Sequence, residues 1–290
     1  MKDLITIGLP SKGRLKEKSI SFFNDRGLKI IQSEKERNYF GAIENKPNVK
    51  IIFLHAKEII QRLGDGTLDI GISGLDLLKE SDINLQRKIN IQKKLDYGNA
   101  NLVIAVPDDW IDVQTIADLE EISFDIRSKR NTRLRVATKY PNLTNDFLIS
   151  KGVTQYKLIS SLGATETYPF IGSSEIITDI TSTGKTLADN NLRVLKDGLI
   201  LSSRACLFIA KKKAAKLQPF LKSLGRWNYI PIPPIPPPIG GIAGLESFSS
   251  GLSAIIASVV INSPAIEAAS CKADLTTLVG SIIPLANIST

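Results

Sequence analysis

Residues 176–187 read Ile-Ile-Thr-Asp-Ile-Thr-Ser-Thr-Gly-Lys-Thr-Leu, and this stretch decides how the rest of the chain is interpreted. The segment Ile176–Ile180 is rich in β-branched apolar residues, which is typical of a buried strand. A turn of small hydroxyl residues around Gly184 follows, and a short helix is predicted from Thr186. A buried strand that leads through a glycine turn into a helix is the repeating unit of α/β proteins.

The same strand and helix pattern extends in both directions from this stretch. The predicted strands are Leu4–Leu9, Val49–Leu54, Leu68–Ile72, Leu102–Val106, Arg135–Thr138, Tyr156–Ser160, Ile176–Ile180, Leu192–Leu201 and Ala205–Ala210. The predicted helices run from the Ser11–Arg14 turn to Arg26, and over Ala56–Leu63, Leu75–Lys79, Thr115–Leu119, Asn142–Lys151 and Lys211–Leu224. This alternation predicts an α/β fold with a largely parallel sheet, and a new unit begins at Leu95.

The loop that follows Ile176–Ile180 offers groups that bind a sugar phosphate. Gly184 lets backbone N–H groups turn inward, the threonine and serine hydroxyls can donate, and a helix N-terminus favours an anion. The predicted substrate-binding residues are Asp179, Thr181, Ser182, Thr183, Gly184, Lys185 and Thr186. Asp179 is placed to accept hydrogen bonds from ribose hydroxyls, so the loop suits a phosphoribosyl donor. A capped helix after a strand explains the same residues, and on the loop alone both interpretations stay open.

A basic turn follows the first predicted strand. Lys12 and Arg14 flank Gly13 there, and open α/β sheets bind ligands at the carboxyl ends of their strands. We therefore predict that Lys12 and Arg14 are catalytic cations that contact polyphosphate. The alternative is that each is an ordinary solvated cation.

Composition narrows the classes of function. The 290 residues carry a formal net charge of +8, scattered singly through the body, which suits a small polyanion better than nucleic acid. Cys206 and Cys271 are too few for a disulfide framework, and the single His55 rules out a multi-histidine metal site. Cys206 lies in an apolar strand and is predicted to be core. Without a signal peptide or a membrane-length apolar run, we expect a cytoplasmic protein that binds neither membrane nor nucleic acid.

Three segments together resemble the ATP phosphoribosyltransferase family. The segment 9–15, LPSKGRL, is similar to the family's opening strand and basic turn, and the segment 68–76, LDIGISGLD, to its Asp-Ile-Gly-x-x-Gly-x-Asp motif. The family signature is filled by Glu166, Gly172, Ser174, Ile177, Asp179, Ile180, Thr183, Gly184, Thr186 and Leu187. The likeness runs from about residue 4 to about residue 212.

The resemblance implies a two-domain α/β fold like that of type-2 periplasmic binding proteins, with the active site in the cleft between the domains. Domain I would comprise residues 1–94 and 195–228, and domain II, residues 95–194, would carry the donor loop. The implied reaction joins adenine N1 of ATP to 5-phosphoribosyl-1-pyrophosphate and releases pyrophosphate, as the first step of histidine biosynthesis. Magnesium is the implied cofactor, carried on the donor's pyrophosphate and not on a predicted protein site.

The resemblance also adds substrate-binding residues outside the loop. Asp69, Gly74 and Glu166 are predicted to bind substrate, with Glu166 on the ribose or orienting the loop; a structural ion pair is the alternative for Glu166. Asp76 could face the cleft as well, or it could support the start of its helix. Arg37 is a weaker candidate cation, and we interpret it as a surface residue.

Two features depart from the family pattern. Many members carry arginine where this chain has His55, and that arginine is thought to stabilise the leaving pyrophosphate. Either Lys57 takes this role or the role lies elsewhere, and for His55 itself the alternative is that it simply packs at the sheet edge. Residues 229–290 are first proline-rich, with six prolines among the eight residues Pro231–Pro238, and then nearly uncharged. We expect a poorly ordered, unrelated extension. The body thus resembles the family's short form, which works with a histidyl-tRNA-synthetase-like regulatory subunit.

Two other functions fit the same residues. Another phosphoribosyltransferase could use this donor loop with a different nucleophile. A non-catalytic solute-binding or sensor domain could share the two-lobed fold, because fold alone does not fix function. We expect such a binder to carry an export signal or a DNA-binding domain, and this sequence shows neither.

Overall fold

The protein is described by a computed structural model that covers residues 4–32 and 39–225. The strands are β1 (Ile5–Pro10), β2 (Ile30–Gln32), β3 (Phe40–Ile43), β4 (Lys46–Leu54), β5 (Ile70–Gly74), β6 (Ile89–Lys94), β7 (Ala100–Pro107), β8 (Leu134–Thr138), β9 (Tyr156–Ser160), β10 (Ile176–Thr181), β11 (Leu192–Ser203) and β12 (Ala205–Ala210). The helices are α1 (Gly13–Asn24), α2 (Ala56–Asp65), α3 (Leu75–Glu80), α4 (Ile83–Gln86), α5 (Ile116–Arg130), α6 (Pro141–Ser150), α7 (Lys185–Asp189) and α8 (Ala214–Ser223). The predictions for Arg37 and for residues 229–290 lie outside the described residues.

The first sheet has seven strands in the order β2-β3-β4-β1-β5-β12-β6. β1 is parallel to β4 and β5, but the other neighbouring pairs are antiparallel. The prediction of a largely parallel sheet is therefore wrong. A short turn at Asn45, with φ 60°, joins β3 to β4, and such a turn forces an antiparallel pair.

Hydrophobic clusters cover both faces of the first sheet. On one face Phe23 of α1 and Leu217 of α8 pack against the strands, and on the other face Ile59 and Leu63 of α2 do so. All four side chains are almost fully buried. Each contributes about 1.5–3 kcal/mol relative to an exposed side chain, so the sheet is a rigid base for the loops at its edge.

The second sheet has five strands in the order β11-β7-β10-β8-β9. β8 is parallel to β9 and β10, whereas β7 is antiparallel to β10 and β11. The helix predicted over Thr115–Leu119 is much longer in the structure, where α5 runs to Arg130. Thr115 and Asp118 form a capping box at its start, and the helix ends only at Asn131 in the left-handed conformation.

The chain passes between the two sheets twice. It leaves the first sheet after Lys94 and enters the second at Ala100, where the sequence predicts the crossing. The return falls at Arg204, later than the predicted position near residue 195, because β11 keeps pairing with β7 as far as Ser203. We call residues 4–32, 39–94 and 205–225 the first lobe and residues 100–203 the second lobe. The predicted α/β fold class with two lobes is confirmed.

Candidate active site

A cavity of about 500 Å³ lies between the two lobes, a size typical of small-molecule sites. The first lobe contributes Arg14, Gly74 and Asp76 to its wall, and the second lobe contributes Ile180 and Ser182. The crossing segment 96–99 also lines it. The structure thus brings the predicted basic turn and the predicted donor loop to one cleft.

The basic turn begins where β1 ends, at the carboxyl edge of the parallel strands. Gly13 adopts a φ of 67°, and α1 starts there without a side-chain cap from Lys12. Lys12 and Arg14 are both exposed, and Arg14 together with Lys18 of the same helix lines the cavity. Lys12 does not line the cavity, so only Arg14 of the predicted pair faces it directly.

The donor loop follows β10 and leads into α7. Gly184 has a φ of 75°, which favours glycine. No atom lies within 4 Å of the position a Cβ would take, so the backbone conformation, and not crowding, is the reason for glycine here. Its N–H donates to Thr181 Oγ1 over 2.9 Å, and Lys185 N–H donates to Thr183 Oγ1 over 3.4 Å. Ser182, Thr183, Lys185 and Thr186 are exposed. The loop presents several polar groups to solvent.

Asp179 lies immediately before this loop, half-buried on β10. Its Oδ1 accepts from the N–H of Ile180 over 2.7 Å, and its Oδ2 lies 3.6 Å from Nζ of Lys139. Lys139 follows β8, the parallel neighbour of β10, so both residues reach the same sheet edge. Sequence reasoning missed Lys139, although its place directly after a predicted buried strand was a usable signal.

Glu166 lies in the short helical turn Thr165–Thr167, which contacts β10. Its side chain is partly exposed. Within residues 4–32 and 39–225 it has no ion-pair partner, so the alternative of a structural salt bridge has no support from this part of the chain. Its role toward ribose stays a prediction.

Gly74 and Asp76 lie where β5 ends and α3 begins, at the wall of the cavity. A Cβ on Gly74 would lie 2.2 Å from Oδ1 of Asp76, so a larger residue would displace the carboxylate. Asp76 is buried; its Oδ1 accepts from Ser203 Oγ over 2.6 Å and its Oδ2 from the hydroxyl of Tyr140 over 3.0 Å. Burial and the nearby Asp76 carboxylate raise the pKa of Tyr140, which keeps its proton.

Asp69 does not reach the cleft, which corrects the prediction that it binds substrate. It precedes β5, so it lies at the opposite end of that strand from Gly74, roughly 16 Å away at about 3.3 Å per residue. Its Oδ2 accepts from the N–H of Thr6 over 2.6 Å, and Oδ1 pairs with Lys213 at 2.6 Å. Asp69 therefore anchors the amino ends of β1 and β5 to the segment before α8.

His55 occupies the N-cap of α2, at the carboxyl end of β4. Its Nδ1 accepts from the N–H of Lys57 over 3.3 Å, and the ring is exposed. The interpretation that it packs at the sheet edge is therefore wrong. Burial raises the pKa of the Glu80 carboxyl, although the backbone N–H groups of Leu143 and Asn142 and, more weakly, the charge of Lys57 oppose this shift. Cys206 is fully buried and burial raises its pKa to about 12, which confirms it as core.

No helix among the described residues is long and apolar enough to cross a membrane. The same residues contain no group of three or more histidine, cysteine or acidic side chains that could hold a metal ion.

The fold and the cleft define a two-lobed α/β protein with a cavity between its lobes. The family profile described as HisG: ATP phosphoribosyltransferase matches residues 55–226, and the chain belongs to this family. Phosphoribosyl transfer to ATP, the first step of histidine biosynthesis, is thereby confirmed as its function.

Curated relatives support the same assignment. The chain is 44% identical over 209 residues to an ATP phosphoribosyltransferase of Brucella melitensis, a match that covers 72% of this chain and 90% of the relative. It is 43% identical over 221 residues to one of Rhizobium etli, covering 76% and 96% respectively. The matched part of this chain covers 90% and 96% of these relatives' lengths. This coverage confirms the resemblance to the short form.

One solved structure shows the same fold. A chain of the ATP phosphoribosyl transferase (HisG:HisZ) complex from Thermotoga maritima superposes with a TM-score of 0.57 at 24% identity, covering 76% of this chain and 96% of that one.

Proposed function

We propose that phosphoribosyl transfer takes place in the cleft cavity, with the donor on the Asp179–Thr186 loop and its pyrophosphate facing the basic turn. The observation that supports this proposal is that Arg14 of the first lobe and Ser182 of the second lobe line the same cavity. Displacement of pyrophosphate builds negative charge, so rate must come from cations and from alignment of the two substrates. A cleft with a cation on one wall and a hydroxyl loop on the other suits that task.

The second lobe supplies the donor site in this proposal. Among the described residues, one carboxylate oxygen of Asp179 has only the 3.6 Å contact with Lys139, so its lone pairs can accept from ribose hydroxyls. The loop hydroxyls and the N–H of Gly184 would hold the 5′-phosphate. Because that N–H donates to Thr181 Oγ1 in the structure, the phosphate has to displace this hydrogen bond. Glu166 would contact or orient the ribose from the neighbouring turn.

The first lobe supplies the cations. Arg14 lines the cavity and is our first candidate for the departing pyrophosphate. Lys12 lies two residues earlier and is exposed, so it can reach a long phosphate chain. His55 is engaged in capping α2, which leaves Lys57 as the residue that would replace the arginine of other family members.

Magnesium is proposed to enter bound to the donor's pyrophosphate. Mg²⁺ usually keeps several waters and binds through substrate phosphates with one or two carboxylates, so the lack of a three-residue acidic cluster in the described part of the chain fits this arrangement. Asp179 is the carboxylate that would face the ion. The ion would neutralise charge on the leaving group.

A regulatory partner is also proposed. The Thermotoga maritima neighbour is a complex named HisG:HisZ, and this chain covers 96% of the superposed chain. We propose that the present chain likewise assembles with a regulatory subunit, resembling histidyl-tRNA synthetase, and works in the cytoplasm.

The test is an assay of the 290-residue protein with ATP, 5-phosphoribosyl-1-pyrophosphate and magnesium, with and without the regulatory subunit. We expect the near-ultraviolet absorbance change of an N1-substituted adenine, larger with the subunit, and its loss when magnesium is chelated. Binding of both substrates without turnover, even with the subunit present, would favour the sensor alternative. Consumption of the donor with another nucleophile but not with ATP would favour a different phosphoribosyltransferase.

A further inference from the structure

The helix α3 belongs to the first lobe, yet its acidic side chains bond to the second lobe. Asp76 and Glu80 are four residues apart and therefore lie on one face of the helix. Both are buried, with 6% and 8% of their surface exposed. Two carboxylates buried this deeply need partners, and in the described part of the chain the donors that hydrogen-bond to them come from across the lobe boundary.

Asp76 is held by two residues of the second lobe. Its carboxylate accepts from Ser203 Oγ over 2.6 Å and from the hydroxyl of Tyr140 over 3.0 Å, and its backbone N–H donates to Ser203 Oγ over 3.0 Å. Ser203 is the last residue of β11, and Tyr140 precedes α6.

Glu80 caps the N-terminus of α6 from the other lobe. Its two carboxylate oxygens accept from the N–H groups of Asn142 and Leu143, each over 3.0 Å, and Asn142 Nδ2 donates to the Glu80 carbonyl over 2.8 Å. Pro141 begins α6 and has no N–H, so Glu80 takes the first two free donors of that helix. A carboxylate is also the favoured charge at this helix end.

These contacts lie close to the donor site. Tyr140 directly follows Lys139, which pairs with Asp179, and Asp76 lines the cavity opposite Ser182. Any rotation of α3 against α6 would therefore move the Asp179 edge relative to Arg14. The set of hydrogen bonds fixes how far apart the two walls of the cleft stand.

We propose that Glu80 is a positioning residue for phosphoribosyl transfer. It holds α6 of the donor-binding lobe against α3 of the other lobe, and the Asp76–Tyr140 hydrogen bond supports the same contact. Glu80 does not line the cavity, so it acts through the geometry of the cleft and not through contact with substrate. The inference rests on the proposed placement of the donor on the second lobe. Misalignment of two bound reactants by about 1 Å can cost a hundredfold in rate.

The variant Glu80→Ala tests this role against Asp118→Ala. Asp118 also caps a helix, accepting from the N–H groups of Gln114 and Thr115, but it does so within the second lobe. We expect Glu80→Ala to lower kcat about tenfold to a hundredfold while the Kd of the donor stays within about twofold, because the donor loop itself is untouched. Glu80→Gln keeps one acceptor and should recover part of kcat. Asp118→Ala should leave kcat within about twofold.

A distance measurement keeps the inference testable without turnover. Spin labels on the exposed positions Gln61→Cys and Ser128→Cys, in a Cys271→Ser background, report the separation of the lobes, because Cys206 is buried. We expect a wider distance distribution in Glu80→Ala than in the wild type or in Asp118→Ala. An unchanged distribution, unchanged kcat, or a donor Kd that weakens in parallel with kcat overturns the proposal. An inactive wild type with the expected distance result would instead count against the proposed function alone.

Discussion

The donor loop and the α3–α6 junction both border the cleft, but they are built in opposite ways. Residues 181–186 are mostly exposed, and the bonds that the Thr181 and Thr183 hydroxyls accept, over 2.9 Å and 3.4 Å, stay within the loop. At the junction, Asp76 and Glu80 are buried and each carboxylate oxygen has a partner. Exposed polar groups are available to a ligand, whereas satisfied buried groups fix geometry. The difference separates the proposed binding element from the proposed positioning element.

The largest expected effect is on catalysis, from Asp179→Ala in the donor site. Loss of the carboxylate removes the acceptor for ribose hydroxyls, so kcat/KM should fall about a hundredfold or more. The free energy of unfolding should change little, because in the described part of the chain the carboxylate has no short partner outside its own backbone neighbour. Steady-state kinetics and urea unfolding measure the two quantities. Asp189→Ala, at an exposed aspartate at the end of α7, is the matched control, and equal losses in both variants would contradict the donor role.

The next effect sharpens the contrast between Asp76 and the other buried aspartate, Asp69. Lys213→Met removes the cation 2.6 Å from Asp69 and leaves a buried charge. We expect a loss of about 2 kcal/mol in the free energy of unfolding, less than for a fully buried pair because Lys213 is 35% exposed. Both kcat and KM should stay unchanged. Lys212→Met, at an exposed neighbouring lysine, controls for the loss of one positive charge. A KM that rises in Lys213→Met but not in Lys212→Met would mean that Asp69 contributes to substrate binding after all.

A third variant, Tyr140→Phe, measures how much the junction contributes to stability. It removes the 3.0 Å hydrogen bond to Asp76 and leaves one buried carboxylate oxygen without that donor. We expect a loss of about 1–3 kcal/mol in unfolding free energy. Tyr156→Phe, which removes a bond to Asn145 over 2.7 Å at a less buried position, should cost less. Thermal unfolding measures the loss of stability in each variant. A larger loss in Tyr156→Phe than in Tyr140→Phe would show that the junction is not the more rigid region.

Gly184→Ala probes the loop by strain alone. The substitution meets no atom within 4 Å but forces alanine to a φ near 75°, which costs about 1–2 kcal/mol. Gly152→Ala imposes similar strain, at a φ of 85° with equally open surroundings, after α6. Both variants should lose similar stability in chemical unfolding, but only Gly184→Ala should raise the KM for the donor. A rise in KM for both would remove the special role of the loop.

The smallest expected effect is a pH dependence of the junction. Burial raises the pKa of Glu80, so the folded state holds this proton more tightly than the unfolded chain does. Its contribution to stability is complete below the ordinary glutamate pKa and is lost as pH rises through the raised value. The unfolding free energy of the wild type, relative to Glu80→Gln, should therefore fall as pH rises through that window. A difference that grows with pH would mean that the helix-capping bonds outweigh desolvation.

Much of the fold follows from local sequence signals. β9 and β12 have the bounds that their apolar runs predict, because buried strands and the glycine and proline residues around them are recognisable in sequence. The short strands β2 and β3 were missed, since three or four residues give too little pattern. The length of α5 was missed because its polar exposed face hides the helical period.

The sequence by itself determined the family and predicts the donor loop and the basic turn, because residue types and spacing within short segments carry these signals. Only the tertiary structure decided which residues meet. Asp69 and Asp76 stand seven residues apart in one motif, yet β5 carries them to opposite ends of a sheet, and Asp76 joins Tyr140 while Asp69 joins Lys213. Lys139 and Glu80 gain their places from strands and helices distant in sequence. Contacts between distant segments depend on how the lobes pack, and no local pattern encodes that packing.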